Sequence, residues 1–271
     1  MHNPDRSYSS RPAWVVTILV IGVFWGLDTY DWTLFKALAA QTTGWDRTGA
    51  VFSLRYLPQL LVPLAIGALL FGPSRSLSAL GLTKSLLVGV GFGLLVTSIM
   101  LAAIAATSPF NPPADLIRVL VNGALMPGVF EEIFYRAFLF GFLFRFAGWG
   151  FLPAALLGAL IFGAGHLYQS SDPQEAAAIF AITAFGGVWF AWLYSEWDFN
   201  IWVPASIHVL MNGWWELFSV SETAMGPMAA NISRLVVIVV SILLTVMIAK
   251  RTGRLRIRGR AWLLGGPADR P

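Results

Sequence analysis

Apolar runs at about 14–27, 51–72, 85–107, 116–146, 151–169, 176–195, 199–219 and 232–250 take up most of this chain. A helix that spans the hydrocarbon of a bilayer needs about 20 such residues. Only 12% of the 271 residues are charged, roughly half of what a soluble domain carries. The pattern predicts an all-α membrane protein of about eight transmembrane helices joined by short turns, with no sizeable soluble domain. The first run has the length of a signal-peptide core. The nearest cleavage-like site, Ala37-Leu38-Ala39, is too distant, and Asp28 and Asp31 intervene, so the run is read as an uncleaved span.

The excess of base over acid is concentrated in Lys250, Arg251, Arg254, Arg256, Arg258 and Arg260, just after the last run. Such a cluster speaks for orientation and for contact with anionic membrane lipids, not for nucleic acid as a partner. With Arg6 and Arg11 at the other end, the positive-inside rule predicts both termini in the cytoplasm, which requires an even number of spans. Lys36 and Arg47 then fall outside, so the bias is moderate. The expected division is a cytoplasmic tail at 1–12, a membrane domain at 13–250 and a basic cytoplasmic tail at 251–271. Compact loops and the lack of an organelle retrieval signal point to a prokaryotic plasma membrane. There is no cysteine, which excludes a thiol nucleophile, thiolate metal ligands and disulfides.

The fourth run contains Glu131, Glu132 and Arg136 within six residues. An ionised side chain at mid-bilayer costs roughly 2.5–3.5 kcal/mol on insertion scales, so these groups need partners, a cavity or a task. Glu132 and Arg136 are four apart and share a helix face, in the order that favours an ion pair. Glu131 lies about 100° round an α-helix and faces something else. Pro127-Gly128 is expected to break the run into a short helix at about 114–125 and a second that restarts at Pro127. Glu131 then sits one turn inside a helix start, where the dipole favours its charge and burial opposes it.

Of three histidines, two lie in apolar runs. His166 shares a face with Phe162, and Gly163, Ala164 and Gly165 between them permit close helix approach. His208 is followed four residues on by Asn212, which places an imidazole beside a carboxamide. Each alone is more often an interhelical hydrogen-bonder than a catalyst. Three runs that each deliver polar groups to mid-membrane are harder to read as structural.

Glu131-Glu132-x-x-x-Arg136, then Phe162-x-x-x-His166, then His208-x-x-x-Asn212 resembles, in this order, the motifs of the CPBP family. These are the type II CAAX prenyl endopeptidases and their bacterial relatives, also called the ABI or bacteriocin-processing family. The resemblance implies an intramembrane glutamate-dependent endopeptidase with a polar catalytic cavity inside the helix bundle, acting on a lipidated or hydrophobic-tailed membrane protein. It implies that Glu131 activates a water which His166 helps to hold, and that His208 and Asn212 stabilise the oxyanion. Glu132 and Arg136 would be supporting residues. No cofactor or metal is implied.

Two other readings use the same residues. A zinc hydrolase would take Glu131 or Glu132 with His166 and His208 as ligands, although HExxH is absent. A non-catalytic transporter or immunity protein would use the charges structurally, although no internal repeat is evident. Glu216, one turn beyond Asn212, either orients that carboxamide or points at the membrane surface beside Trp214 and Trp215. Asp28, Asp31 and Arg55 are expected near span ends, paired with one another. Asn122 and Gln59 receive no role, and the tryptophans fit an interfacial belt.

Overall fold

The computed structural model describes residues 12–39 and 41–265. Residues 1–11, with His2, Arg6 and Arg11, and the end of the basic tail from residue 266 lie outside them. The described residues form helices α1 (Ala13–Ala39), α2 (Gly44–Phe71), α3 (Leu86–Thr107), α4 (116–145), α5 (Phe151–Ala164), α6 (Pro173–Glu196), α7 (Trp202–Leu217) and α8 (Met228–Thr252). There is no strand among them, and Trp149 and Leu264 form an isolated bridge. Local chemistry sets several ends. Ser85 and Asp172 accept the N–H groups of Val88 and Glu175 and cap α3 and α6. Gly253, at φ +67°, stops α8 in the left-handed conformation.

Six helical stretches are long and apolar enough to cross a membrane: Ala13–Tyr30, Gly44–Phe71, Leu86–Thr107, Phe151–Gln169, Pro173–Glu196 and Met228–Thr252. The remaining two expected runs form α4 and α7 but are not among the six. They are the two that carry Glu131, Glu132 and Arg136 and, on α7, His208 and Asn212.

The expected break at Pro127 is absent. Met126 is helical (φ −61°, ψ −55°), and the chain stays helical from Leu116 to Arg145. It accommodates the proline by widening: Met126 N–H donates to Val121 O and Gly141 N–H to Arg136 O, each five residues back. Runs of this wider spacing are rare and often mark functional sites. α2 widens in the same way at Phe52–Tyr56, just before Pro58.

α4 is the central helix, and residues 131–144 are buried on every side. Six of its buried side chains are aromatic, Phe134, Tyr135, Phe138, Phe140, Phe142 and Phe144, interleaved with Ile133, Ala137, Leu139 and Leu143. Phe134 stacks on Phe24 of α1, Phe140 meets Phe151 of α5 edge-on, and Phe142 meets Phe71 of α2. α3 and α7 pack backbone to backbone, because a Cβ on Gly89 would collide with Trp202 and one on Gly93 would meet Ser206 at 2.9 Å. Gly128 plays the same part between α4 and α7: an added Cβ would lie 2.7 Å from Val209 N.

The loops sort to two ends of the bundle. At one, Trp149 donates to Thr17, and Lys84 and Arg256 both pair with Asp198. The basic tail, expected to mark topology and to meet anionic lipid, has a fold of its own: residues 254–264 pack against this end, where Glu196 accepts the backbone N–H groups of Arg256 and Ile257 at 2.9 and 2.8 Å. Burial opposes the charge on Asp198, but Lys84 and Arg256 outweigh it and hold its carboxyl below the usual carboxylate range. At the opposite end Ser219 donates to Asn111 O, Ala224 N–H to Gln169 and Thr223 to Glu175, tying three loops together.

Candidate active site

Glu132, at 0% exposure, is the best-buried carboxylate in the centre of the bundle. Its Oε1 lies 3.2 Å from Arg136 Nη1, the pair expected from the four-residue spacing, and 2.9 Å from His208 Nδ1 on α7. Its Oε2 has no hydrogen-bond partner. The Arg136 guanidinium sits in an aromatic box, 4.5 Å from the Phe162 ring centroid and 5.6 Å from that of Phe190. Cation–π contact in a desolvated setting is worth about 2 kcal/mol. Gly187 and Ala159 close against this box, where an added Cβ on Gly187 would lie 3.4 Å from Arg136 Nη2.

Glu131 turns away from that pair, as the spacing argument required, and lines a cavity of about 410 Å3. His166, His208, Asn212 and Arg136 line the same cavity. The four residues expected to be catalytic therefore converge, and Glu132 lies behind them.

His166 stands just past the end of α5, where the final carbonyls of a helix lack N–H partners. Its Nδ1 lies 2.7 Å from Phe162 O. A carbonyl only accepts, so Nδ1 carries the hydrogen and a neutral ring offers its lone pair at Nε2. Glu131, His208 and Arg55 all lie within electrostatic reach of this ring. Asn212 Nδ2 donates to Gly123 O at 3.0 Å. Gly123 is four residues before Pro127, whose missing N–H leaves that carbonyl without its helical donor. The carboxamide fills the vacancy, and its second N–H hydrogen stays uncommitted.

The geometry corrects several readings. Arg55 is not at a span end. α2 begins at Gly44, so Arg55 lies well inside it, and its Nη2 reaches Glu131 Oε1 at 3.3 Å. The isolated arginine in an apolar run was the available signal, and the run's uncertain start hid it. Asp28 accepts a hydrogen bond from Tyr135 Oη at 3.1 Å, while the Asp31 side chain lies outside the described residues. Glu216 lines the cavity and lies against Gly123. Asn122 donates to Thr48 and to Arg118 O. Among the described residues, no three His, Asp or Glu side chains converge to hold a metal ion.

A central helix with buried carboxylates, flanked by apolar helices and opening on a polar cavity, defines an integral membrane protein built around an internal polar site. Residues 113–214, which hold all three motifs, match the model of the family described as Type II CAAX prenyl endopeptidase Rce1-like. No curated protein and no solved structure matched the chain.

Proposed function

We propose that the chain hydrolyses a peptide bond in a lipidated or hydrophobic-tailed membrane protein through a water activated by Glu131. The observation that carries this reading is the convergence of Glu131, His166, His208 and Asn212 on one cavity. Glu131 takes a proton from the water as its oxygen bonds to the scissile carbonyl carbon. His166 Nε2 accepts the water's other hydrogen and fixes its orientation. The carbonyl oxygen becomes an oxyanion, to which Asn212 donates its uncommitted N–H. His208 donates from Nε2 when both ring nitrogens carry hydrogen, and Glu132 sits where it neutralises that charge. Each such donor is worth on the order of 3 kcal/mol in the transition state. Collapse of the intermediate breaks the C–N bond, and Glu131 returns its proton to the leaving amine.

Glu132 and Arg136 hold the imidazole of His208 and the pitch of α4, and Arg55 holds the Glu131 carboxylate. In the proposed orientation the end bearing Arg75, Lys84, Arg145 and the basic tail is cytoplasmic in a prokaryotic plasma membrane. The cavity draws its loop residues, Tyr168, Gln169 and Ser221 among them, from the opposite end.

The test compares membrane-protein termini by mass spectrometry between cells with the native chain and cells with Glu131→Ala. A polypeptide trimmed only in the former is expected and identifies the substrate. Identical termini, with the variant folded and equally abundant, would refute the reading.

A further inference from the structure

The residues proposed to do the chemistry stand on different sides of the cavity. His166 lies on the link between α5 and α6, whereas His208 and Asn212 lie on α7. Two loops meet at that end of the bundle, 165–172 between α5 and α6, and 218–227 between α7 and α8. Tyr168 and Gln169 of the first and Ser221, Thr223 and Ala224 of the second line the cavity.

The 218–227 loop is fastened to its own flanking helices. Trp215 Nε1 donates to Ser221 O, Arg234 Nη1 to Ala224 O and Asn231 Nδ2 to Gly226 O, at 3.1, 2.9 and 2.7 Å. Across the cavity it is held by side chains: Ala224 N–H donates to Gln169 Oε1 at 2.7 Å, and Thr223 Oγ1 to Glu175 Oε1 at 3.1 Å. Ser170 Oγ donates to the other oxygen of Glu175 at 2.7 Å and steadies it. Among the described residues no backbone–backbone hydrogen bond joins the two loops. A seam closed by two part-buried side-chain bonds opens more readily than a packed helix face. Gln169 also ends the single turn that begins at His166, and its own N–H donates to His166 O at 3.1 Å.

We propose that Gln169 and Glu175 form a latch that closes the 218–227 loop over the cavity and, through the turn at His166, sets that ring against His208 and Asn212. Both are positioning residues, which act through His166 and not on the reacting atoms. In what it achieves, the latch rests on the endopeptidase reading. A cavity of about 410 Å3 is at the small end of ligand pockets, and a peptide that enters at this end requires the seam to part. Closure then excludes water and completes the constellation, as lids do in other enzymes. The 218–227 loop lies beyond the matched range 113–214, so the latch ties a segment outside that range to the motif histidine inside it.

The chain has no cysteine, so Thr183→Cys places a single thiol in the cavity. In neutral-lipid nanodiscs, the rate at which a charged, water-soluble maleimide labels that thiol reads the opening of the seam without any substrate. Adding Gln169→Leu, which keeps the size and removes the acceptor, should speed labelling about 10-fold, the effect of one lost hydrogen bond. Gln169→Glu keeps an acceptor and should restore most of the protection. Thr223→Val breaks the other bond and should act in the same direction as Gln169→Leu. Unchanged labelling in both variants overturns the proposal.

Turnover separates the two readings. On a peptide carrying the end found by the terminus comparison, Gln169→Leu alone should lower kcat about 10-fold without raising KM, because His166 is misplaced while entry is easier. Faster labelling with unchanged kcat would also overturn the proposal, since the seam would have no hold on His166. If the terminus comparison finds no trimmed end and labelling still responds to Gln169→Leu, the endopeptidase reading falls and the latch survives it. Cleavage with indifferent labelling sinks the latch alone.

Discussion

Arg55 Nη2 and Glu131 Oε1 lie 3.3 Å apart, although 76 residues separate them in the chain. The contact joins the widened turn of α2 to the widened part of α4, so both proline-associated irregularities meet at the proposed base. Arg55→Met should leave the protein folded and reduce kcat/KM by roughly 100-fold through misplacement of the carboxylate. Arg55→Lys should recover part of it. Turnover of an identified substrate checks this, and unchanged kcat/KM for Arg55→Met would remove the arginine from the machinery.

Glu132→Ala should cost stability before it costs anything else. It leaves Arg136 as an uncompensated charge in a box of phenylalanines and takes the acceptor from His208. Loss of one member of a buried ion pair typically costs about 3–5 kcal/mol. Thermal unfolding of purified wild type and variant in the same detergent reads the loss directly. A melting temperature within a degree of wild type would show that the pair contributes little.

Asn212→Ala removes two bonds at once, the one to Gly123 O and the proposed one to the oxyanion. The first is a structural loss of about 1–3 kcal/mol from an unpaired buried carbonyl. The second should lower kcat by roughly 100-fold or more with little change in KM. A variant that loses stability but keeps kcat would confine Asn212 to the helix repair.

The clamp on Asp198 should be visible in acid. Its folded-state pKa lies below the ordinary 3.8, held there against burial by Lys84 and Arg256. Its contribution is therefore complete above that ordinary value and is lost as pH falls through the lower folded one. Thermal stability of wild type should exceed that of Asp198→Asn at pH 6, and the gap should close below about pH 3.8. The groups are half exposed, so the gap should be no more than about 1 kcal/mol. A gap independent of pH would mean that the clamp works by shape and not charge.

The helical class, the Glu132–Arg136 pair and the outward turn of Glu131 were legible because each is a local property of helical spacing. The two histidines and Asn212 were legible as two motifs, and the matched range 113–214 includes them. Arg55 was not, since its meaning lies in a contact with a helix residue 76 positions away. Pro127 was misread for a related reason. Local rules say that proline stops a helix, but its stranded carbonyl finds a donor in Asn212, 89 residues away, and the helix widens instead of ending. Nor could the basic tail reveal its fold. Its charges were conspicuous, yet the groups that anchor it to Glu196 are two backbone N–H groups, which sequence does not mark.

The placement of the cavity beside the loops at 165–172 and 218–227 bears on how the protein can be inhibited. In the proposed orientation those loops face away from the cytoplasm. A water-soluble compound with a hydrogen-bond donor for His166 Nε2 would then reach Glu131 from outside the cell. It would need neither a transporter nor the lipid solubility that membrane-embedded targets normally demand of a drug.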